Sequence, residues 1–312
     1  MRIGYFADGP WSHRALELIS KTNGLNVVFI VPRYDTQDPE LKKMAEEMAI
    51  PFIPVENVNT ERFLNLMDEY KPDLLVSMSF NQILRRSIID YAPLGFINCH
   101  AGALPFYRGR NPLNWVLING ESNFGITVHY VEEGIDTGDI VEQRLYPISL
   151  DDNYGSLLHR AIKECANVLH SAILKIAKGE VEIIKQTDLH PVGTYFGIRT
   201  IGDEWVDFNW PAERVHNFVR AISKPGPCAR FIFNAVEYAI ERTELIENAP
   251  NYIATVGEVV GKSDKGIIVK VGDSTLLLTL VGRVLDGAIV DSKTPNFRIG
   301  SRFNNQCAKA SV

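Results

Sequence analysis

Along the first half of the chain, apolar residues switch repeatedly between two spacings. Arg2–Ala7 and Leu25–Val31 are nearly continuous apolar runs rich in β-branched residues, the pattern of buried strands. Ser12–Lys21, Asp38–Met48 and Thr60–Tyr70 instead carry apolar residues at spacings of three and four, which predicts helices. Phe52–Val55, Asp73–Ser77 and Phe96–His100 read as further strands. This alternation predicts the α/β class: a Rossmann-like, mostly parallel sheet with helices on both faces. Ile126–Tyr130 and Asp139–Leu145 add two strands, and Tyr154–Lys178 forms one long helix.

The rhythm then changes. Residues 179–200 are irregular and carry Gly179, Pro191, Gly193 and Gly197. Beyond them Pro211–Ile222 reads as a helix with proline at its first position. Arg230–Ile240, Ala254–Val260, Gly266–Val271 and Thr275–Val284 follow as short strands separated by turn residues. Many short strands in so little chain predict a small C-terminal, OB-like β-barrel. The organisation read from the pattern is a first domain over residues 1–180, a linker over 181–204 and a barrel over 205–312.

Composition changes this picture little. A length of 312 residues suits two domains, and 46% hydrophobic with 22% charged residues is ordinary for a globular protein. The net charge of −6 gives no global attraction to a polyanion. The four cysteines, Cys99, Cys165, Cys228 and Cys307, have neither disulfide-framework nor zinc-ribbon spacing. The N-terminus MRIGYFADGP has neither leader pattern, and no stretch is long and apolar enough to span a membrane. A cytoplasmic protein is the expectation.

The densest candidate chemistry follows the strand Phe96–His100, in INCHAGALPFYRGRNPLNW. Asn98 and His100 lie two apart on a strand, so they share a face at its C-terminal end, where α/β sheets bind ligands. A histidine there can move a proton near neutral pH, and an asparagine amide can donate to a developing oxyanion. Residue types alone give a structural role for His100 equal weight. Asp136, in the loop EEGIDTGD, supplies a carboxylate, and on spacing alone Asp139 and Glu132 compete with it. Asp-Thr-Gly is also an aspartic-protease motif, but those enzymes are all-β. The Ala-Asp-Gly-Pro turn after the first strand lacks the glycine pattern of a dinucleotide loop.

Taken in order, Asn98-x-His100, Leu104-Pro105, Arg108-Gly109 and Asp136 in Asp-Thr-Gly resemble the pattern of the formyltransferase family. The resemblance continues from Thr194 to Pro227, a segment similar to the one leading into the smaller domain of two-domain members. It implies transfer of a formyl group from 10-formyltetrahydrofolate to a primary amine, without a metal. Asn98 would then donate to the oxyanion, His100 would take the amine proton, and Asp136 would orient His100. The resemblance places the folate against Ser79, Phe80, Asn81, Gln82, Ile83 and Leu84, with Ile135 and Asp136 opposite. Ile83 and Leu84 read equally well as ring contacts or as the core-filling start of a helix.

For the acceptor, the resemblance favours a nucleotide-linked amino sugar, a UDP- or dTDP-linked 4-amino-4,6-dideoxy sugar of surface-glycan pathways. The stretch VPRYDTQDPELKKMAEE lacks the basic, glycine-containing insertion usual in methionyl-tRNA formyltransferases. Residues 201–312 balance Lys and Arg against Asp and Glu, 13 of each. The run YRGRNPLNWVLINGE is similar to the formyltransferase domain acting on UDP-4-amino-4-deoxy-arabinose. Trp11, Ser12, Tyr107, Arg108, Gly109 and Arg110 are the candidate acceptor contacts, with Arg108 favoured over Arg110 for a diphosphate. His13 reads as a helix-start residue, and Trp205 and Trp210 as packing. The other readings are a methionyl-tRNA formyltransferase, a non-catalytic folate- or nucleotide-binding module, and a hydrolase of the same donor. Expected partners are a small nucleotide sugar, no membrane and no nucleic acid; a homodimer stays open.

Overall fold

A computed structural model describes residues 1–304 of the chain; Cys307 lies outside the described residues. In chain order the elements begin β1 (Arg2–Ala7), α1 (Pro10–Ser20), β2 (Asn26–Val31), α2 (Pro39–Glu47), α3 (Glu61–Tyr70) and β3 (Leu74–Met78). Next come α4 (Arg86–Ile89), β4 (Phe96–His100), β5 (Arg108–Gly109), α5 (Pro112–Ile118), β6 (Asn123–Tyr130) and β7 (Ile140–Pro147). Then follow α6 (Tyr154–Lys178), α7 (Gln186–Leu189), β8 (Tyr195–Phe196) and α8 (Ala212–Ala221). The last strands are β9 (Ala229–Phe233), β10 (Val236–Leu245), β11 (Val259–Ser263), β12 (Gly266–Lys270), β13 (Thr275–Leu285) and β14 (Ala288–Lys293). The chain divides into two compact units. The first holds Met1–Pro112, Asn123–Pro147 and His159–Gly197; the second holds Leu113–Ser122, Ile148–Leu158 and the chain from Ile198.

The first unit is built on a sheet of order β2-β1-β3-β4-β6-β7. The first four strands are parallel, β6 runs antiparallel to β4, and β7 antiparallel to β6. Side chains alternate across the sheet, so Tyr5 and Phe6 on β1 face opposite ways. The Tyr5 hydroxyl donates to the Ser12 carbonyl on α1 at 3.0 Å, while the Phe6 ring meets Phe63 on α3 edge-on at 5.9 Å. Helices therefore cover both faces, as the apolar pattern predicts. Asp38 and Thr60 cap α2 and α3 by accepting from the backbone of Leu41 and Phe63. The expected strand Phe52–Val55 reduces to one parallel bridge, Ile30 to Phe52. Pro51 and Pro54 bracket it and have no N–H to give a ladder.

The second unit differs from its sequence reading in three places. Arg230–Ile240, expected as one strand, is the hairpin β9–β10, turning at Asn234 and Ala235 with φ of 49° and 60°. A further strand, β14, returns on β13 through Asp286 and Gly287, φ 49° and 79°. The strand expected over Ala254–Val260 begins only at Val259, after Gly257 at φ 78°. The sheet is antiparallel, in the order β11-β12-β13-β10-β9 with β14 on β13, and it is barrel-like without closing. Phe208, Phe231 and Phe303 pack its core, with ring centroids 4.5–6.2 Å apart. Trp205 bridges Arg230, and Trp210 meets Phe218 edge-on at 5.2 Å. Most of the expected linker is not a linker. Up to Gly197 it belongs to the first unit, where β8 pairs in parallel with β5.

Candidate active site

A cleft of 400 Å³ in the first unit opens around the last residues of β3 and β4 and the β6–β7 loop. That volume suits a small-molecule ligand. Asn98 and His100 line it, two positions apart on the same face of β4, and Cys99 points the other way to the Cys165 carbonyl on α6. The loop carrying Asp136 leaves β6 beside the start of β4, where the Val131 amide donates to the Phe96 carbonyl. It then returns to set the Asp136 carboxylate 3.6 Å from His100 Nδ1. Asp139 and Glu132 make no such contact. The loop is pinched at Gly138, where a Cβ would sit 1.9 Å from the Tyr130 carbonyl oxygen.

The His100 Nε2 hydrogen bond of 2.7 Å ends on the Tyr107 carbonyl. A carbonyl only accepts, so Nε2 carries the proton and Nδ1, facing Asp136, is the atom open to a second one. Gly102 permits this contact, because a Cβ there would lie 2.6 Å from His100 Nε2. On β6, directly opposite Asn98, stands His129, which the sequence reading did not single out. Its Nδ1 donates to the Tyr130 carbonyl at 2.8 Å, leaving Nε2 to accept from Asn98 Nδ2 at 3.2 Å. His129 Nε2 also lies 3.5 Å from Asp136 Oδ1. Burial by itself would push the Asp136 carboxyl up. The positive charge that His100 and His129 carry once protonated on the nitrogens facing Asp136, and the Gly109 amide, donating at 2.8 Å, outweigh burial and hold it well below the usual carboxylate range.

The loop Ser79–Leu84 lines the cleft and is fastened by its neighbours. Arg33 donates from Nε to the Ser79 carbonyl at 2.6 Å and from Nη2 to Ser79 Oγ at 2.9 Å. Gln82 bridges the backbone of Val55 and Val58, and Asn81 donates to Asp35. Phe80 meets Phe6 edge-on, and Leu84 packs against the core cluster around it. Ile83 is 82% exposed at the cleft, and α4 starts only at Arg86, so Ile83 is not core filling. Ile135, also exposed, lines the cleft beside Asp136.

Of the six candidate acceptor contacts, Trp11, Gly109 and Arg110 line the cleft. Three do not. Ser12 is fully buried and its hydroxyl donates to the Gly9 carbonyl at the start of α1. The Tyr107 ring stacks on Phe196 at 5.1 Å. Arg108 spends its guanidinium on Gln186 Oε1, at 3.0 and 2.6 Å, and on the Val192 carbonyl at 3.1 Å. Arg110, by contrast, lies exposed at the cleft, and its guanidinium has no partner among the described residues. His13, expected only to start a helix, holds Asp38 at 2.7 Å. No cluster of metal-ligating side chains occurs among the described residues, and none of their helices is long and apolar enough to cross a membrane.

Residues 1–173 match the family model described as formyl transferase, and residues 200–287 match that of the formyl transferase C-terminal domain. The chain belongs to the formyl transferase family. This formyltransferase is 30% identical over 286 residues to the methionyl-tRNA formyltransferase of Ruminiclostridium cellulolyticum, covering 89% of this chain and 90% of that protein. Its fold matches WlaRD, a sugar 3N-formyl transferase solved with dTDP and 5-N-formyl-THF, at a TM-score of 0.68 and 20% identity, covering 91% of this chain and 97% of the other. It also matches the N-formyltransferase from Helicobacter canadensis, solved with folinic acid and dTDP-3-aminofucose. There the TM-score is 0.65 at 19% identity, covering 90% and 99% of the two chains.

Proposed function

We propose that this formyltransferase moves the formyl group of 10-formyltetrahydrofolate to the primary amine of a nucleotide-linked amino sugar, a UDP- or dTDP-linked 4-amino-4,6-dideoxy sugar. The donor supplies an electrophilic formyl carbon. His100 takes the proton of the attacking amine at Nδ1, where the Asp136 carboxylate stabilises the imidazolium, and returns it to N10 of the donor as the formyl C–N10 bond breaks and tetrahydrofolate leaves. One N–H of the Asn98 amide is held by His129; the other donates to the formyl oxygen as negative charge develops there. Phe80, Ile83 and Leu84 offer an apolar edge to the flat ring of the folate.

The observation that carries the acceptor is the placement of free cations. Arg110 stands unpaired at the cleft, where one diphosphate would reach it. In the second unit five cations are spent on neighbouring carboxylates, while Arg242, Lys293 and Arg298 are exposed with no ion pair among the described residues. Lys224 pairs with Glu241 at 2.5 Å, Arg230 with Glu237 at 3.7 Å, Lys265 with Glu244 at 3.0 Å and Arg302 with Glu258 at 2.9 Å. Arg283 pairs with Asp291. Binding a tRNA needs many uncommitted cations, because phosphate contacts dominate nucleic-acid affinity. The likeness to the R. cellulolyticum protein over most of both chains favours the second reading, formylation of methionyl-tRNA.

The test supplies 10-formyltetrahydrofolate together with UDP- and dTDP-linked amino sugars or charged initiator tRNA. It follows tetrahydrofolate release and acceptor mass. A mass gain on a sugar is the expected result. Formylation of tRNA alone would establish the second reading, and folate turnover without any acceptor would make the chain a hydrolase. No turnover at all would leave a binding module.

A further inference from the structure

The segment over residues 181–197 contains one fully engaged buried amide. Gln186 is 2% exposed. Its Oε1 accepts from Arg108 Nε and Nη2 at 3.0 and 2.6 Å, and its Nε2 donates to the carbonyls of Asp136 and Gly138 at 2.8 and 2.7 Å. Both N–H groups and both lone pairs of the amide are thus used. The segments it joins are those that frame the carboxylate: Arg108 is followed by Gly109, whose amide donates to Asp136 Oδ2 at 2.8 Å. Asp136 itself sits at φ 53°, a left-handed conformation unusual for a residue with a side chain. Its immediate neighbours are Ile135 and Thr137, in a loop bounded by Gly134 and Gly138.

We infer that Gln186 is a positioning residue for formyl transfer: by clamping the Asp136 loop to the Arg108–Gly109 strand it fixes the Asp136 carboxylate against His100 and His129. Arg108 is the other half of the clamp, and its grip on Gln186 is what withholds it from the cleft. The inference rests on the role given to Asp136 above and is independent of which acceptor is used.

The informative variant is Gln186→Glu. It keeps the size of the side chain and the partnership with Arg108, but turns a second oxygen toward the carbonyls of Asp136 and Gly138. With whichever sugar or tRNA the wild-type chain formylates, kcat should fall roughly 10- to 100-fold while KM for the folate stays within about twofold, as for a misplaced catalytic group. In an Asp136→Asn background the same substitution should cost nothing more, because the two act as one unit. Losses that multiply would overturn the inference. Full activity of Asp136→Asn would instead overturn the role of Asp136 itself. A readout free of any acceptor is the ¹⁵N spectrum of the imidazoles. Gln186→Glu should move the His100 and His129 resonances in the direction that Asp136→Asn moves them, and unchanged resonances would sink the idea. Should Gln186→Glu fail to fold, Gln186→Met and Arg108→Lys break the same clamp without adding a charge and carry the same expectations.

Discussion

The polar groups proposed to act in the cleft and the five charged pairs of the second unit are satisfied in opposite ways. In the cleft the groups proposed to meet substrate are held at one atom and left open at another. His100 is fixed through Nε2 and open at Nδ1, and Asn98 is fixed through one N–H with the other to spare. Arg110 is anchored only by its backbone amide, which donates to the Phe196 carbonyl at 2.9 Å. On the second unit Lys224, Arg230, Lys265, Arg283 and Arg302 each close on a carboxylate. Half-satisfied groups can exchange partners with a substrate, whereas closed pairs have little left to offer one. The contrast teaches that residue types alone do not mark a site; what marks it is capacity held in place and unspent.

The contrast breaks most sharply at β4. Asn98→Ala should lower kcat by at least about 10²–10³, the usual cost of losing an oxyanion donor. His100→Ala and Asp136→Ala should also lower kcat, with His100→Ala losing the general base outright. Steady-state kinetics on the accepted substrate, beside thermal unfolding to show that the fold survives, measures this. Near-full activity in all three variants would remove the site from β4.

The role proposed for Asp136 ties catalysis to stability. Its folded-state pKa lies below the unfolded value of about 3.9, so its ionised form adds stability at neutral pH. That contribution is complete above the unfolded value and is lost as pH falls through about 4 toward the folded one. Asp136→Asn should therefore be less stable than wild type at pH 7, by roughly 1–3 kcal/mol on the scale of a buried polar group that loses its partners. The gap in urea unfolding should narrow below about pH 4. A gap independent of pH would mean that the carboxylate is not held in its charged form.

Much of this was legible in the sequence, and what was not has physical reasons. The strand period put Asn98 and His100 on one face, and the family pattern picked Asp136 from among Asp139 and Glu132. His129 was hidden because it sits in Ile126–Tyr130, an ordinary-looking strand. Only the antiparallel register, which sets it opposite Asn98, gives it a partner. Arg108 reads in sequence as a cation free for the cleft because a guanidinium in an Arg-Gly-Arg run carries no sign of what it faces, and its partner Gln186 is far along the chain. The second unit's hairpins were missed at Asn234–Ala235 and Asp286–Gly287. The second of these is a type I′ signal that an apolar-run reading passes over.

A smaller effect is expected at Arg110, the open cation of the cleft. Arg110→Ala should raise KM for a nucleotide-linked amino sugar roughly tenfold with kcat unchanged, as when uniform binding to one phosphate group is removed. The wild-type KM should rise with added salt, and that of the variant should rise less. A fall in kcat at constant KM would place Arg110 with the reacting atoms instead. An unchanged KM would leave the diphosphate without its proposed partner.

The smallest effect should come from the second unit. Lys265→Ala and Arg302→Ala each remove a cation already closed on a carboxylate. With an amino-sugar acceptor both should keep kcat/KM within about twofold of wild type, since exposed ion pairs contribute little. The same variants discriminate the acceptor class. If the substrate were a tRNA lying on this surface, each cation would neutralise a phosphate. Losing one would then raise KM for the tRNA and lower the salt dependence of binding by about one unit of logarithmic slope. A shallow salt slope that is the same in wild type and these variants fits an acceptor that meets one arginine in a cleft. A steep slope that flattens as the cations are removed fits a polynucleotide, and would show that the closed pairs open on binding.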